Sequence, residues 1–196
     1  VHPSVPAKNL EELIKLIKGA QSGTFAYATP GSGTTPHLTG EHLFKVIAQS
    51  EVAAIHFRGA GPAAAAIVAG EPKFGSLAVT AAMPHIKAGK VRAVAISSST
   101  RQSTLPDVAT FVEQGFPQVQ DYTWVAMMVP VGTPPAIVQR LNDAVNIALK
   151  EPVVRERLEG LAFDPVGGTS AQFGEYLRSE VARWAKVVKE TGAKLE

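Results

Sequence analysis

The chain has 196 residues, 45% of them hydrophobic, which is enough to bury the core of one domain or of one and a half. Its 19 Lys and Arg and 17 Asp and Glu leave a net charge of +2 without a basic run, which argues against a nucleic-acid partner. The absence of cysteine excludes disulfides and thiolate metal sites, and no apolar run reaches the length of a membrane span.

The first 115 residues alternate between patterns typical of helices and of strands. Asn9 and Glu12 form a capping box, which predicts a helix that ends at Gly19. Short runs rich in Val, Ile and Ala predict strands that are buried on both faces. The alternation predicts an α/β fold in which helices cover both faces of a parallel sheet. The chain continues with predicted strands at 24–28, 52–57, 74–79 and 91–97, and with predicted helices at 35–49, 61–69, 81–88 and 106–114.

The pattern changes after residue 121. Residues 122–129 are predicted to be extended, and three amphipathic helices are predicted to follow, starting near Thr133, Pro152 and Thr169. Because these helices have apolar stripes but only one predicted strand to cover, we expect part of this region's sheet to lie outside the sequence. The first residues have neither an initiator Met nor the features of a signal peptide, so we expect the sequence to begin inside a longer protein.

A glycine-rich loop after the first predicted strand is the most informative stretch. Gly31 and Gly33 let the backbone approach a ligand closely, and Thr34 or Thr35 can cap the helix that follows. Unpaired amides and the helix dipole favour a carboxylate or phosphate by about 0.3–1 kcal/mol for each exposed interaction. An ordinary capped loop has the same pattern, and the sequence alone leaves these two interpretations equally supported.

Ser32 completes this loop, and His37 follows it in the first helical turn. His37 can steady the loop, although a lone histidine at such a position is more often structural. Thr80, near the end of the third predicted strand, can offer its hydroxyl to a ligand or simply cap the next helix. Ligands of open parallel sheets bind beyond the carboxyl ends of the strands, where all these residues are predicted to lie.

Arg58 and Gly59 follow the second predicted strand. Arg58 can hold a carboxylate through a two-pronged contact, although a solvated surface arginine is the more common case. The run from Gly59 to Gly61 imitates a dinucleotide-binding fingerprint, and a nucleotide-dependent oxidoreductase is therefore the alternative function. The imitation is weak, because Pro62 interrupts it and no acidic residue follows at the expected distance.

Other site chemistry finds little support. The five histidines lack metal-ligand spacing, no nucleophile elbow is present, and the glycine loops hold no acid that could act as a general base. We therefore expect binding without catalysis, and neither a metal nor a cofactor. An interaction domain that holds no small ligand remains a third interpretation.

An ordered set of motifs nevertheless resembles one family, the solute-binding proteins of tripartite tricarboxylate transporters, also called the Bordetella uptake gene family. The motifs are HPSVPAK at 2–8, the stretch 27–38, FRGAGP at 57–62, PHIKAGK at 84–90, LPDV at 105–108, PVGTP at 130–134, PVGGT at 165–169 and WAKVVK at 184–189. The resemblance implies a two-lobed fold like that of type II periplasmic binding proteins, a periplasmic location, and a di- or tricarboxylate or aromatic acid as ligand. It also implies that the loaded protein docks on membrane permease subunits.

The resemblance implies roles for particular segments. The family's carboxylate loop corresponds to Ser32, Gly33, Thr34 and Thr35, and the loop near Thr80 corresponds to another ligand-facing position. Residues 1–121 would form a complete lobe, and residues 122–196 a hinge strand and the C-terminal helices of the other, incomplete lobe.

The hinge strands would lie at Val5 and Tyr122. Relatives often have Asp where this chain has Lys73 and Leu77, which leaves the identity of the ligand open. Because the family's upstream part is missing, we expect this chain to bind ligand poorly by itself and to self-associate.

Overall fold

The computed structural model describes residues 1–194, and its sheet consists of three short parallel strands. Strands β1 (Ala26–Thr29), β2 (Ala53–His56) and β3 (Phe74–Gly75) lie in the order β2–β1–β3. Thr29 is opposite His56, and Ala28 is opposite Gly75. β1 is therefore the central strand, and each connection between strands passes through a helix, as parallel pairing requires.

Helices cover both faces of this sheet. On one face, Tyr27 packs into a buried cluster with α1 (Leu10–Lys18) and with a π-helical turn at His42–Ile47 that directly continues α2 (Thr35–Glu41). On the other face, Ala28 packs with Ala63 and Ile67 of α3 (Ala60–Ala69), next to α4 (Val79–Lys87). Neighbouring residues of β1 thus pack into hydrophobic clusters on opposite faces of the sheet. The predicted α/β fold is confirmed.

Helix α1 follows directly from its sequence. The Asn9 side chain accepts a hydrogen bond from the Glu12 amide at 2.8 Å, and the Glu12 carboxylate accepts one from the Lys8 amide at 2.7 Å. The helix ends before Gly19, as predicted. Its apolar stripe is buried and consists of Leu10, Leu13, Ile14 and Ile17.

Two predicted elements are wrong. Residues 91–97 form no strand and pair only through an isolated bridge between Ile96 and Thr110. The helix predicted at 106–114 is a series of turns. Side chains donate hydrogen bonds to backbone carbonyls that would accept from backbone amides in a helix. Arg101 donates to the Pro106 carbonyl, and Gln114 donates to the Ala109 carbonyl.

Other boundaries shift. The third strand is shorter than predicted, because the chain leaves the sheet after Gly75 and begins α4 at Val79. Neither Val5 nor Tyr122 lies in a strand, which corrects the two predicted hinge strands. Whether either residue acts as a hinge stays a prediction.

The chain divides into two compact units. The first contains Val1–Thr123 together with the chain from Lys186 onward, and the second is Trp124–Ala185. Assigning these units to two lobes of a binding protein stays a prediction. The helices after residue 123 are α5 (Pro135–Ala148), α6 (Pro152–Gly160) and α7 (Ser170–Thr191).

The second unit has little interior of its own. No residue of α5 or α6 is fully buried. Trp124 contacts the rings of Phe173 and Tyr176, with centroids 5.6 Å and 6.1 Å away, and Asn146 donates to the Gly168 carbonyl at 2.8 Å. Across residues 1–194, no helix has both the length and the apolar character that a membrane span needs.

Candidate functional site

The carboxyl ends of the three parallel strands lie at one edge of the sheet, and backbone hydrogen bonds tie the loops after them together. The Phe57 amide donates to the Thr29 carbonyl at 2.9 Å, and the Gly59 amide donates to the Pro30 carbonyl at 2.9 Å. On the other side of β1, the Ser76 amide donates to the Ala28 carbonyl at 3.0 Å. Helices α2, α3 and α4 therefore all begin at this edge, as the sequence predicts.

The glycine loop, defined as residues 31–35, is closed by its own hydrogen bonds. The Gly31 amide donates to Oγ1 of Thr29 at 3.1 Å, and the Gly33 amide donates to Nδ1 of His37 at 3.0 Å. The Thr34 amide makes a longer bond of 3.4 Å to the Gly31 carbonyl. The sequence predicts unpaired amides over residues 31–35, but the amides of Gly31, Gly33 and Thr34 already have acceptors within the protein. Ligand binding by the loop stays a prediction.

Side chains also hold the loop. Thr34 donates through Oγ1 to the Gly31 carbonyl at 2.8 Å and makes no capping bond to α2, although it occupies the N-cap position. Ser32 donates to the Lys194 carbonyl at 3.2 Å. Gly33 has a φ of 73°, a left-handed conformation that favours glycine. Thr35 begins α2 and is half-buried.

His37 is buried directly behind the loop. Because its Nδ1 accepts the Gly33 amide, its ring is neutral with the proton on Nε2. Nε2 lies 4.0 Å from Oε1 of Glu41. Burial, and then the nearby His56, lower the pKa of His37 below its ordinary value, which outweighs the opposing effect of Glu41.

A buried polar network continues below His37. The Tyr27 hydroxyl lies 3.1 Å from the His37 carbonyl and 3.0 Å from Oε1 of Glu41, and Lys45 pairs with Glu41. Burial, and then the Glu41 charge, raise the pKa of the Tyr27 phenol far above its ordinary value. The phenol therefore stays protonated and donates. Sequence reasoning missed this network, although His37, Glu41 and Lys45 stand at i, i+4 spacing.

His56 is the second residue that sequence reasoning missed. Its Nδ1 lies 3.4 Å from Oγ1 of Thr29, and its ring meets the His37 ring edge-on, with 4.5 Å between centroids. Only the strand register reveals this position, because His56 is 19 residues from His37 along the chain.

The remaining candidates also lie at this edge. Arg58 is exposed two residues beyond the end of β2, and Gly59 is the N-cap of α3 with a φ of 113°. Thr80 is half-buried in the first turn of α4. The structure thus places every predicted site residue on the three loops or on the first turns after them. Within residues 1–194, no group of three or more His, Asp or Glu could hold a metal ion.

Comparisons with known proteins agree on one family. A model described as "Tripartite tricarboxylate transporter family receptor" matches residues 1–193. The protein BugT of Bordetella pertussis is 35% identical over 195 residues, which cover 100% of this chain and 59% of BugT. Neither the family nor BugT is described as an oxidoreductase, so the alternative function at Gly59 and Gly61 is not supported.

Solved structures show the same fold. One described as a periplasmic transporter has a TM-score of 0.92 at 33% identity and covers 100% of this chain and 65% of its own. A protein of R. palustris solved with adipate has a TM-score of 0.89 at 28% identity, with coverage of 98% and 64%. MatC from Rhodopseudomonas palustris, solved with bound malate, has a TM-score of 0.80 at 29% identity, with coverage of 95% and 64%. The chain therefore spans less than two thirds of these relatives.

Proposed function

Because the chain belongs to the family of tripartite tricarboxylate transporter receptors, we propose that it is part of a periplasmic protein that binds a small dicarboxylate. The observation that carries the proposal is the meeting of three helix N-termini at one sheet edge, beside the glycine loop. Solved relatives with adipate and with malate support a dicarboxylate as the ligand class. The protein with its ligand bound would deliver that ligand to membrane permease subunits, and no covalent bond would be made or broken.

The first carboxylate of the ligand would bind at the glycine loop. The hydroxyl groups of Ser32 and Thr34 could donate to it once they leave the Lys194 and Gly31 carbonyls, and Thr35 would add a third hydroxyl. The dipole of α2 and of the π-helical turn that continues it points its positive end at this loop. A charged oxygen would also compete with His37 Nδ1 for the Gly33 amide, since hydrogen bonds to charged acceptors are stronger than neutral ones.

The second carboxylate requires another positive group, and Arg58 is the candidate. Arg58 is exposed beside the start of α3, where its guanidinium can hold a carboxylate through two parallel bonds. Thr80, in the first turn of α4, would add a hydroxyl from the opposite side of β1. Removing water around these groups would strengthen each contact, because opposite charges attract more strongly where the local dielectric constant is lower.

Thermal unfolding of the complete gene product tests this proposal. We expect a stabilising shift with at least one of succinate, malate, adipate and citrate, because selective binding to the folded state adds about 2.7 kcal/mol at a ligand concentration of 100 Kd. Butyrate and hexanoate are the matched monocarboxylate controls and should give a smaller shift. If no dicarboxylate or tricarboxylate shifts the transition, the proposed ligand class is wrong.

A pair of variants locates the site. Thr34→Val keeps the shape of the side chain and removes its hydroxyl, so the ligand-induced shift should shrink. Thr100→Val makes the same change on an exposed loop outside the site and should leave the shift unchanged. Equal shifts in both variants would place the ligand away from the glycine loop.

A further inference from the structure

His56 touches both side chains that hold the glycine loop closed. Its Nδ1 lies 3.4 Å from the hydroxyl of Thr29, which accepts the Gly31 amide. Its ring packs edge-on against His37, which accepts the Gly33 amide. His37 is 3% exposed, whereas the side chain of His56 is open to solvent. His56 is therefore an accessible imidazole at the place where the loop would receive an anion.

The strand register explains why His56 points to the loop. Side chains alternate between the two faces of a strand, so His56 and Ala54 share one face of β2. Ala54 packs against the cluster that contains α1 and Tyr27, which is the face that α2 covers. His56 is two residues further on, at the last position of the strand, and so lies beside the first turn of α2.

In the part of the chain that the structure describes, residues 1–194, no ion pair joins His56 to a carboxylate. On α2 the ionisable groups are His37 and Glu41, and on the π-helical turn Lys45 pairs with Glu41. The loop after β2 adds Arg58, and the π-helical turn also carries His42. On β1, Thr29 is neutral, and the Tyr27 phenol stays protonated because burial and Glu41 raise its pKa. Glu41 is already paired with Lys45, so an arriving dicarboxylate would bring two further negative charges to this edge.

We infer that His56 is a ligand-contacting residue whose imidazole takes up a proton when a dicarboxylate binds, so that binding strengthens as the pH falls. This inference rests on the proposed function and deepens it, because it assigns a proton to the binding step. The ring contributes an N–H donor and a positive charge to one ligand carboxylate. His37, by contrast, stays neutral and keeps its acceptor for the loop.

The direction of the pH dependence follows from linkage. A group that binds a proton more readily in the complex than in the free protein makes the affinity high at low pH, and the affinity falls as the pH rises through the imidazole range of about 5–8. A carboxyl group titrates near about pH 4, and the second carboxyl of a dicarboxylic acid titrates somewhat higher because the first negative charge opposes its ionisation. Both ligand carboxylates are therefore mostly ionised from about pH 6 upward.

Calorimetric titration of the complete gene product with adipate and with malate tests the inference. We expect an affinity about tenfold higher at about pH 6 than at about pH 8.5, which corresponds to about 1.4 kcal/mol of binding free energy. Repeating the titrations in two buffers of different ionisation heat should show proton uptake near about pH 7.

Three variants test whether His56 is the group that takes up the proton. His56→Gln should lose about tenfold in affinity at about pH 6, little at about pH 8.5, and all of the proton uptake. His56→Lys should keep high affinity across the range, because its charge persists. His85→Gln removes a histidine from the last turn of α4, distant from the loop edge, and should behave like the wild type.

The outcomes separate the two proposals. Binding of equal strength at every pH, or proton uptake that survives in His56→Gln, would overturn the role of His56 while leaving the binding function intact. A loss of affinity in His56→Gln that is the same at every pH would also overturn it, since that pattern indicates a merely structural role. If adipate and malate, and also succinate and citrate, fail to bind at any pH, both the dicarboxylate proposal and the inference drawn from it fall.

Discussion

The backbone amide of Gly33 donates a hydrogen bond to Nδ1 of His37 at 3.0 Å, so a buried side chain of α2 holds the loop that precedes its own helix. The bond requires an unprotonated Nδ1, and burial favours that neutral form. Protonation of Nδ1 would therefore break this bond, although the bonds of Thr29 and Thr34 to Gly31 would remain. The conformation of the glycine loop depends in part on the chemistry of one imidazole.

Replacing His37 should loosen the loop and destabilise the fold. His37→Ala leaves the Gly33 amide without its acceptor and opens space beside His56, and we expect a loss of at least about 1–3 kcal/mol in the free energy of unfolding. His37→Asn can return an acceptor oxygen and should recover part of that loss. Urea unfolding provides the measurement, with His85→Ala as the control. Equal losses in the Ala and Asn variants would contradict a role for the acceptor.

Stability should also depend on pH through His37. Its pKa in the folded protein is lowered from 6.5, first by burial and then by His56, so the unfolded chain binds more protons in the interval below 6.5. The stability that neutral, buried His37 contributes is fully present above pH 6.5 and is lost as the pH falls through the lowered pKa. We expect the urea midpoint to fall below pH 6.5 in the wild type and in His85→Gln, but less steeply in His37→Gln. An unchanged slope in His37→Gln would assign the effect to another group.

Gly40 is required by the packing of Tyr27 against α2. A methyl group at residue 40 would overlap Cε2 of the Tyr27 ring and lie 2.7 Å from Cζ and 2.9 Å from the hydroxyl oxygen. Gly40→Ala should therefore cost about 1–3 kcal/mol of stability. At Gly160 of α6 the same methyl group meets nothing within 4 Å, so Gly160→Ala should be neutral or stabilise by up to about 1 kcal/mol. Thermal unfolding of both variants checks the contrast, and similar effects would refute it.

The elements that the sequence predicts well are those whose determinants are local. Helix α1 has its cap, its apolar stripe and its terminating glycine within ten residues of one another, so all its information lies in one window. The run at 91–97 has strand-like composition, but strand formation also needs a neighbour. Among the residues that the structure describes, the run makes only one bridge, between Ile96 and Thr110. The segment 106–114 likewise depends on distant partners. The Ile96 amide donates to the Ala109 carbonyl, and the Gln114 side chain donates to the Val94 carbonyl and accepts from the Leu10 amide.

The same distinction separates the site residues. The glycine loop could be predicted because Gly, Ser and Thr between a strand and a helix form a local pattern. His56 could not, because its proximity to the loop depends on the register that places it opposite Thr29. The paired state of the Gly33 amide was also hidden, since it depends on the rotamer of a histidine that has two alternative acceptor atoms.

A buried hydrogen bond between Thr39 and Asp121 should contribute measurably to stability. Oγ1 of Thr39 lies 2.7 Å from Oδ2 of Asp121, and both residues are buried. Thr39→Val keeps the volume but leaves the carboxylate with one donor fewer, at an expected cost of about 1–3 kcal/mol. Thr39→Ser keeps the hydroxyl and should cost clearly less. Denaturant titration distinguishes them, and a Ser variant as unstable as the Val variant would show that the lost methyl group matters instead.

The segment after the first compact unit should promote self-association of the 196-residue chain. Val125, Met127 and Met128 are exposed to 79%, 60% and 62%, and Val131 is fully exposed only a few residues later. Because exposed apolar side chains so close together in the chain favour burial against another surface, we expect a second copy of the chain to cover them. Sedimentation velocity should show a weight-average mass that rises with concentration. Val125→Ser combined with Val131→Ser should reduce this rise, because it removes part of the apolar area. The control Val153→Ser, on the exposed surface of α6, should reduce it less. A monomer at every concentration would show that this surface does not attract a second copy.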